Sequence, residues 1–220
     1  MDRAAGQRDH SEASFERTWA VVPIRGLATA KTRLGPDLDP EARRRLVVAM
    51  LRRTLAATRD AVAIRGTVVV TKDPVVAGLA QAHGAIGLVE RAPDLNAAIV
   101  AGRSLAIARG ATAVLVLPAD LPAVSPAAID DIVIRAAARE APAALVVLVT
   151  DRHGRGTNAL LTSPPEIVDP AFGENSRAVH QGLAAEAGAT WLELGGPLAL
   201  DVDTPADLAV AEATVGPLGR

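Results

Sequence analysis

Short runs of consecutive apolar residues recur along the chain and alternate with longer amphipathic stretches. Such runs are typical of strands that are covered on both faces, as in parallel sheets. They predict strands over 19–24, 67–71, 85–89, 113–117, 143–149 and 190–194, and a last strand over 198–203. A glycine-rich crossing segment, 151–158, and a short apolar stretch, 159–161, follow the fifth run.

The stretches between these runs have the pattern of helices. Over 41–59, apolar residues recur at helical spacing and arginines occupy the other face. Further helices are predicted from residue 74, over 94–110, from residue 126, over 174–187 and from residue 205, most of them starting at a capping residue or a proline. Because strands and helices alternate, with connections too long for hairpins, we predict one α/β domain with a doubly wound, mostly parallel sheet.

Composition narrows the range of functions. Half of the 220 residues are apolar but only 2% are aromatic, so the core must consist of Ala, Val, Leu and Ile. The absence of Cys excludes disulfides and thiolate chemistry and fits a cytoplasmic location. A net charge of -2 argues against a nucleic-acid partner, and no apolar run is long enough to span a membrane.

The N-terminal residues 1–18 differ from the rest of the chain. They are polar and charged, and they lack the apolar segment of a signal peptide. We expect them to form a disordered tail, and we expect residues 19–216 to form the folded domain.

A basic loop follows the first predicted strand and contains Arg25, Gly26, Lys31 and Arg33. Open α/β sheets bind ligands at the carboxyl edge of their strands, where this loop begins. Gly26 would let the backbone approach a phosphate closely, and the cations would neutralise its charge. The loop matches neither a Walker A motif nor the dinucleotide-binding glycine pattern. A solvated loop whose basic residues happen to cluster accounts for it equally well.

Three aspartates are predicted at the same edge of the sheet. Asp120 follows the fourth predicted strand, and Asp201 and Asp203 are two residues apart in the last one, so that their side chains share one face. Helix capping is the simpler role, but Thr204 and Asp207 already cap the next helix. Carboxylates held together need a cation, and oxygen ligands suit Mg²⁺. We therefore favour a Mg²⁺ site over capping.

A triphosphate with bound Mg²⁺ would require cations opposite these aspartates. Lys31 and Arg33 would supply them, facing the carboxylates across a cleft. Phosphoryl and nucleotidyl transfer depend on positioning and charge neutralisation more than on covalent chemistry. We therefore predict Lys31 and Arg33 as the catalytic residues of such a transfer.

A second anion site is suggested by glycines paired with hydroxyl groups. Thr157 follows a glycine in the crossing segment, and Gly173 precedes Ser176 at a predicted helix start. Helix N-termini attract anions through free N–H groups and a positive dipole. His180 lies one turn after Ser176 and could face the same ligand. Ordinary capping by Gly173 and Ser176 is slightly preferred on the residues alone.

Seven segments together resemble the guanylyltransferase family of coenzyme F-420 biosynthesis, which joins GTP to phosphoenolpyruvate or 2-phospho-L-lactate and releases pyrophosphate. They are VVPIRGLATAKTRL at 21–34, VVTKDP at 69–74, DLNAAI at 94–99, LPADLP at 117–122, GTNALL at 156–161, FGENSRAVH at 172–180 and LDVDTPADL at 200–208. No single motif is decisive, but their order and spacing are specific. The resemblance covers residues 19–208 and implies a fold of the nucleotide-diphospho-sugar transferase type.

The resemblance also implies three groups of site residues. The ligands of Mg²⁺ would be Asp120, Asp201 and Asp203. The phosphorylated three-carbon acid would be bound by Thr157, Gly173 and Ser176. The nucleotide would be contacted by Arg25, Gly26 and Asn96, the last of these near the nucleoside, while Lys31 would contact the phosphates.

The expected reaction is in-line attack by a phosphate oxygen of the acid on the α-phosphorus of GTP. Phosphoenolpyruvate is preferred as the acceptor because the Arg- and Ala-rich composition resembles that of high-GC bacteria, whose relatives use it. The same reaction on 2-phospho-L-lactate or 3-phosphoglycerate is the alternative. More distant alternatives are a sugar-phosphate or molybdopterin nucleotidyltransferase and a non-catalytic nucleotide-binding module.

Overall fold

The computed structural model describes residues 15–27, 31, 34–35, 38–139 and 142–219. Arg33 and most of the predicted tail lie outside these residues. Phe15 is buried in the main hydrophobic core. The folded part of the chain therefore begins before the predicted start at residue 19.

A seven-stranded sheet forms the centre of the molecule. Its strands are β1 (Thr18–Ile24), β2 (Ile64–Thr71), β3 (Ile86–Val89), β4 (Ala113–Val116), β5 (Leu145–Thr150), β6 (Thr157–Ser163) and β7 (Thr190–Leu194). They are arranged in the order β3-β2-β1-β4-β6-β5-β7. Only β6 runs antiparallel to its neighbours. The predicted mostly parallel sheet is confirmed.

Six α-helices are found among the described residues, of which five connect successive strands and the last follows β7. They are α1 (Pro40–Asp60), α2 (Pro74–Ala82), α3 (Leu95–Ala108), α4 (Pro126–Ala137), α5 (Ser176–Glu186) and α6 (Pro205–Val215). At the starts of four predicted helices, Asp73, Asp94, Ser125 and Thr204 each accept a hydrogen bond from a first-turn N–H group. Within the part of the chain that the structure describes, none of the helices is long and apolar enough to cross a membrane.

The helices cover both faces of the sheet. Adjacent residues of a strand point to opposite faces, and β1 illustrates this with Val21 and Val22. Val22 is buried in one cluster with Val47 of α1 and Val76 of α2. Val21 is buried in another cluster with Ile99 of α3. Because both faces are covered by helices, the strands are continuous apolar runs.

The connection between β5 and β6 differs from the prediction. The two strands form an antiparallel hairpin, whereas no hairpin was expected, and the apolar stretch 159–161 belongs to β6. The turn is closed by Asp151, whose main-chain oxygen accepts from Gly154 N–H (3.0 Å) and whose Oδ1 accepts from Arg155 N–H (2.8 Å). These local hydrogen bonds let six residues reverse the chain.

The predicted last strand is also wrong. Pro197–Ala199 form a short 3-10 helix, and residues 200–203 lie outside the sheet. The place beside β4 is already taken by β6. Val202 instead donates its N–H to the main-chain oxygen of Asp120 (3.1 Å) and is fully buried. The flanking Asp201 and Asp203 are only half-buried, which gives the segment the alternation of a strand.

The strand order reverses at β1. The chain passes from β1 through α1 to β2 on one side, whereas β4 joins β1 on the other side. The carboxyl ends of β1 and β4 therefore diverge at a topological switch point, where open α/β sheets bind ligands. Lys31 follows β1 and Asp120 follows β4, so both residues lie at this point.

Candidate active site

A lysine and two aspartates form a compact ion cluster at the switch point. Lys31 Nζ lies 2.5 Å from Asp120 Oδ2 and 2.7 Å from Asp203 Oδ1. Burial alone would lower the pKa of the Lys31 ammonium, but the two carboxylates raise it above its ordinary value. Lys31 therefore contacts the aspartates directly, and the predicted arrangement across a cleft is wrong for this residue.

The backbone of the basic loop is fixed at both ends. Lys31 has a left-handed conformation (φ 57°), which costs a non-glycine residue about 1 kcal/mol or more, and such strain concentrates at functional sites. Leu34, which is fully buried, donates its N–H to Lys31 O (3.0 Å). At the other end Gly26 has a φ of 146°, and Leu27 N–H donates to Asp73 Oδ2 (3.3 Å).

The third aspartate joins the same cluster electrostatically. Burial raises the pKa of Asp201, and the charges of Asp120 and Asp203 raise it further. Asn158 places its Nδ2 group 3.5 Å from Asp201 Oδ1 and 3.0 Å from Leu198 O. The three predicted aspartates are thus brought together, and Asn158, the neighbour of Thr157, is a further partner of this cluster.

The ligand chemistry of this cluster fits Mg²⁺, because three carboxylates offer only oxygen donors. As they stand, no three His, Cys, Asp or Glu side chains among the described residues are grouped closely enough to hold a metal ion. The Lys31 ammonium lies between Asp120 and Asp203 and offsets one of their two negative charges. A metal would therefore compete with Lys31 for these carboxylates.

The predicted acid-binding residues gather around His180, which is fully buried. Its Nδ1 lies 3.0 Å from Thr157 Oγ1, and its Nε2 lies 2.9 Å from the N–H of Ala171. Ser176, one turn before His180, donates its N–H to Gly173 O (3.3 Å). Gly173 has a φ of 146°, a conformation that favours glycine.

The start of α5 is not capped by a side chain. Asn175 is the N-cap in a left-handed conformation and makes no side-chain cap hydrogen bond. Ser176 is the first helical residue and is only 2% exposed. Among the described residues, no group hydrogen-bonds to its hydroxyl. Ordinary capping by Ser176 is therefore not observed, and its hydroxyl remains available to a ligand.

Asn96 holds the loop that leads to Gly173. Its Nδ2 donates to Phe172 O (3.1 Å), and its Oδ1 accepts from Phe172 N–H (2.8 Å). Phe172 in turn places its ring edge against His180, with the ring centroids 5.3 Å apart. The side chain of Asn96 thus positions residues 171–173, which we call the acid loop. The proximity of Asn96 to a nucleoside stays a prediction.

A cavity of about 370 Å³ opens at the carboxyl ends of β1 and β2 and the start of α3. Leu95 and Ala98 contribute apolar wall, and Arg25, Lys72 and Glu90 contribute charge. Arg25 was predicted to bind the nucleotide. Lys72 and Glu90 were not predicted as site residues. The motif at 69–74 does not show that Lys72 lines this cavity, and Glu90 follows a short strand that carries no motif.

The fold is shared with nucleotidyltransferases. A putative nucleotide-diphospho-sugar transferase from Desulfovibrio desulfuricans G20 superposes with a TM-score of 0.72 at 14% identity, covering 90% of this chain and 87% of the other. A nucleotidyl transferase from Methanothermobacter thermautotroptrophicus gives a TM-score of 0.62 at 18% identity, with 90% and 97% coverage. The architecture is therefore that of the nucleotide-diphospho-sugar transferase type.

The particular family follows from the sequence. Residues 18–211 match the family described as "Guanylyl transferase CofC like", and the chain belongs to this family. A phosphoenolpyruvate guanylyltransferase from Sphaerobacter thermophilus is 41% identical over 192 residues, which cover 87% of this chain and 90% of the relative. The protein of the same name from Rubrobacter xylanophilus is 43% identical over 199 residues, with 90% and 95% coverage. The resemblance found in the sequence is confirmed.

Proposed function

We propose that this protein transfers the guanylyl group of GTP to phosphoenolpyruvate. The observation that supports this most directly is that the two candidate sites meet at the first residues of β6. Thr157 contacts His180 of the acid site, and its neighbour Asn158 contacts Asp201 of the aspartate cluster. An acid bound at Thr157 would thus lie close to a nucleotide bound at the aspartates. The relatives that cover most of the chain carry the name of the same activity.

The proposed step is a substitution at phosphorus. A phosphate oxygen of phosphoenolpyruvate forms a bond to the α-phosphorus of GTP, and the bond from that phosphorus to the bridging oxygen of the β-phosphate breaks. Pyrophosphate leaves with the electron pair of that bond. The attacking phosphate is already ionised, so no general base is needed. Lys31 and Arg33 would stabilise the charge on the transferring group and the leaving pyrophosphate.

Mg²⁺ is proposed as the cofactor, with Asp120, Asp201 and Asp203 as its ligands. When bound, it would neutralise negative charge on the triphosphate and the leaving pyrophosphate. A test that does not depend on activity uses Lys31→Met, which leaves the three carboxylates to repel one another. Its melting temperature should be lower than that of the wild type and should rise more on addition of MgCl₂. Equal responses of both proteins, or none, would contradict the proposed ligands.

The cavity beside Glu90 is proposed as the guanine site. Guanine presents two N–H donors, N1–H and the 2-amino group, to a carboxylate, whereas adenine presents an acceptor at N1. The main chain of Glu90 is held in place because its N–H donates to Thr71 O (2.9 Å). Its side chain is oriented because Oε1 accepts a hydrogen bond from Arg91 N–H (2.6 Å). Leu95 and Ala98 would contact the base.

Glu90→Gln tests this assignment. The variant should lose about 10- to 100-fold in kcat/KM for GTP, the value of one lost charged hydrogen-bond pair. ITP, which lacks the 2-amino group, should be a poorer substrate of the wild type than GTP, and the variant should discriminate less between the two. Glu186→Gln, the same change at an exposed position of α5, is the control. Unchanged selectivity in Glu90→Gln would remove Glu90 from the guanine site.

The reaction itself is tested by pyrophosphate release, with pyrophosphatase coupled to draw the reaction forward. Phosphoenolpyruvate, 2-phospho-L-lactate and 3-phosphoglycerate should be compared with GTP and Mg²⁺, and ATP and CTP should serve as nucleotide controls. Release with GTP and phosphoenolpyruvate is the expected result. Release with another acid would reassign the acceptor, and no release with any would favour a sugar-phosphate transferase or a binding module. On the expected result, we place the reaction in cytoplasmic coenzyme F-420 biosynthesis.

A further inference from the structure

We propose that His180 is a positioning residue that joins the two halves of the acid site and directs the hydroxyl proton of Thr157 toward the bound acid. Nothing in the family match or in the names of the relatives assigns a role to this histidine. The inference rests on the proposed function for the identity of the ligand, but its structural part can be tested without turnover.

The contacts of His180 are compatible with one tautomer of its ring. The N–H of Ala171 donates to Nε2 of His180 (2.9 Å), so Nε2 must present a lone pair. The ring is fully buried. Burial lowers the pKa of His180 to about 4, so the ring is neutral near pH 7. A neutral imidazole without a proton on Nε2 carries it on Nδ1.

The tautomer of the ring fixes the role of the Thr157 hydroxyl. Because Nδ1 carries the proton, it donates to Thr157 Oγ1 across the 3.0 Å contact. The threonine hydroxyl is therefore an acceptor toward the ring, and its own proton is free to be donated elsewhere. In the opposite tautomer the hydroxyl would donate to Nδ1 and turn only lone pairs toward an anion. The tautomer inferred from the Ala171 contact suits a phosphate or a carboxylate.

The ring also contacts the acid loop. His180 fixes the N–H of Ala171, and Asn96 fixes both peptide groups of the next residue, Phe172. These contacts immediately precede Gly173, which was predicted to bind the acid. One buried ring thus contacts strand β6 through Nδ1 and the acid loop through Nε2. It sets the distance between Thr157 and the loop as well as the direction of the hydroxyl.

A buried histidine with satisfied nitrogens could also serve only to stabilise the fold, and two substitutions separate these roles. The amide of Asn reaches about as far as Nδ1, so His180→Asn keeps a donor for Thr157. The amide of Gln reaches about as far as Nε2, so His180→Gln keeps an acceptor for Ala171 and loses the donor. Circular dichroism and thermal melting would establish that each variant is folded.

The kinetic test is a double-mutant cycle with Thr157→Val. His180→Gln should raise KM for phosphoenolpyruvate about tenfold, the usual value of one directed hydrogen bond, and should leave KM for GTP unchanged. In the Thr157→Val background the same change should have little further effect. Asn96→Ala, which disturbs the loop but not the hydroxyl, should remain additive with Thr157→Val. Thr157→Ser keeps a hydroxyl at this position, so in this background His180→Gln should again raise KM for phosphoenolpyruvate.

The test of the tautomer uses long-range ¹H–¹⁵N correlation of the histidine rings, with His180→Gln assigning the resonance. The expected spectrum shows a neutral ring protonated on Nδ1 at pH 7. A ring protonated on Nε2, or a charged ring, would overturn the inference, as would additive effects of His180→Gln and Thr157→Val. If phosphoenolpyruvate is not turned over, the proposed function fails, whereas the spectrum still decides the tautomer and the cycle is measured with whichever acid reacts.

Discussion

The two ends of the candidate site are held together by different forces. At the acid end, His180 and Thr157 are buried and Asn96 is half-buried, and all three make neutral, directional hydrogen bonds. At the aspartate end, Lys31 is placed by two ion pairs on a loop with a left-handed residue. Hydrogen bonds of fixed direction define one geometry, whereas ion pairs exchange partners when another charge arrives.

This difference matches what each ligand requires. A small acid is recognised by the direction of a few donors, so its site benefits from being formed in advance. A triphosphate brings several negative charges, and with a metal it would draw the cation and the carboxylates into a new arrangement. In the structure, Lys31 pairs with both Asp120 and Asp203 and offsets one of their negative charges.

The largest effect is expected at the aspartate end. Asp203→Asn removes one carboxylate and leaves Lys31 paired with Asp120 alone, so turnover should fall at least about 10³-fold, as it does when a charge-stabilising group is lost. The fold should persist, because Val202 and not Asp203 anchors this segment in the core. Steady-state kinetics and circular dichroism check both parts.

A second variant, Asp120→Asn, tests the same prediction. Asp120→Asn should behave in the same way, because Asp120 is the other partner of Lys31. The double variant Asp120→Asn, Asp203→Asn should be folded and inactive. A folded double variant with substantial activity would show that neither carboxylate takes part in the transfer.

The next effect is a pH dependence that originates at the acid end. The pKa of His180 is lowered from 6.5 to about 4 by burial. The unfolded chain therefore binds a proton between these values and the folded chain does not, so stability is fully present above pH 6.5 and falls as the pH drops toward 4. The contribution is on the order of 3 kcal/mol.

Urea denaturation at pH 7, 6, 5 and 4.5 measures this dependence. The wild type should lose stability progressively over that range. His180→Gln has no titrating group at position 180, so its curve should be flatter than that of the wild type by the histidine contribution. Parallel curves for the two proteins would show that the ring is not held neutral by burial.

How far the sequence predicted these features depends on how local their causes are. The strands and the caps Asp73, Asp94 and Thr204 were predictable, because each depends on residues a few positions away. The segment 198–203 was not, since its alternation of burial is that of a strand and only the position of β6 excludes it from the sheet. The β5–β6 hairpin likewise depends on pairing with β4.

The site divides in the same way. Asp120 and the basic loop could be recognised because each follows a strand end in the chain, whereas Asp201 and Asp203 were recognised by their spacing although their segment is not a strand. The direct contact of Lys31 with Asp120 spans 89 positions, and the contact of Thr157 with His180 spans 23. Such contacts are set by the assembled sheet and not by local pattern. The tautomer of His180 further depends on one backbone N–H, that of Ala171, which no side-chain pattern reveals.

A smaller effect is expected from Asn96. Asn96→Ala leaves the N–H and the carbonyl oxygen of Phe172 without their side-chain partner, so the free energy of unfolding should fall by about 1–2 kcal/mol. KM for the acid should rise while KM for GTP stays unchanged. Chemical denaturation and kinetics with each substrate varied separately check this. A change confined to KM for GTP would instead support the predicted proximity of Asn96 to the nucleoside.

The smallest effect is expected at an exposed ion pair outside the candidate site. Asp131 and Arg135 pair at 2.7 Å on α4 with side chains 56% and 58% exposed, and an exposed pair one helical turn apart stabilises by about 0.5 kcal/mol or less. Asp131→Asn should therefore change the free energy of unfolding by no more than this, and activity should not change. Lys31, only 9% exposed, should respond far more strongly, because its removal leaves Asp120 and Asp203 to repel each other. Equal losses in Asp131→Asn and Lys31→Met would mean that solvent screens the cluster as fully as the surface pair, and the aspartate end would then hold its loop by packing and not by charge.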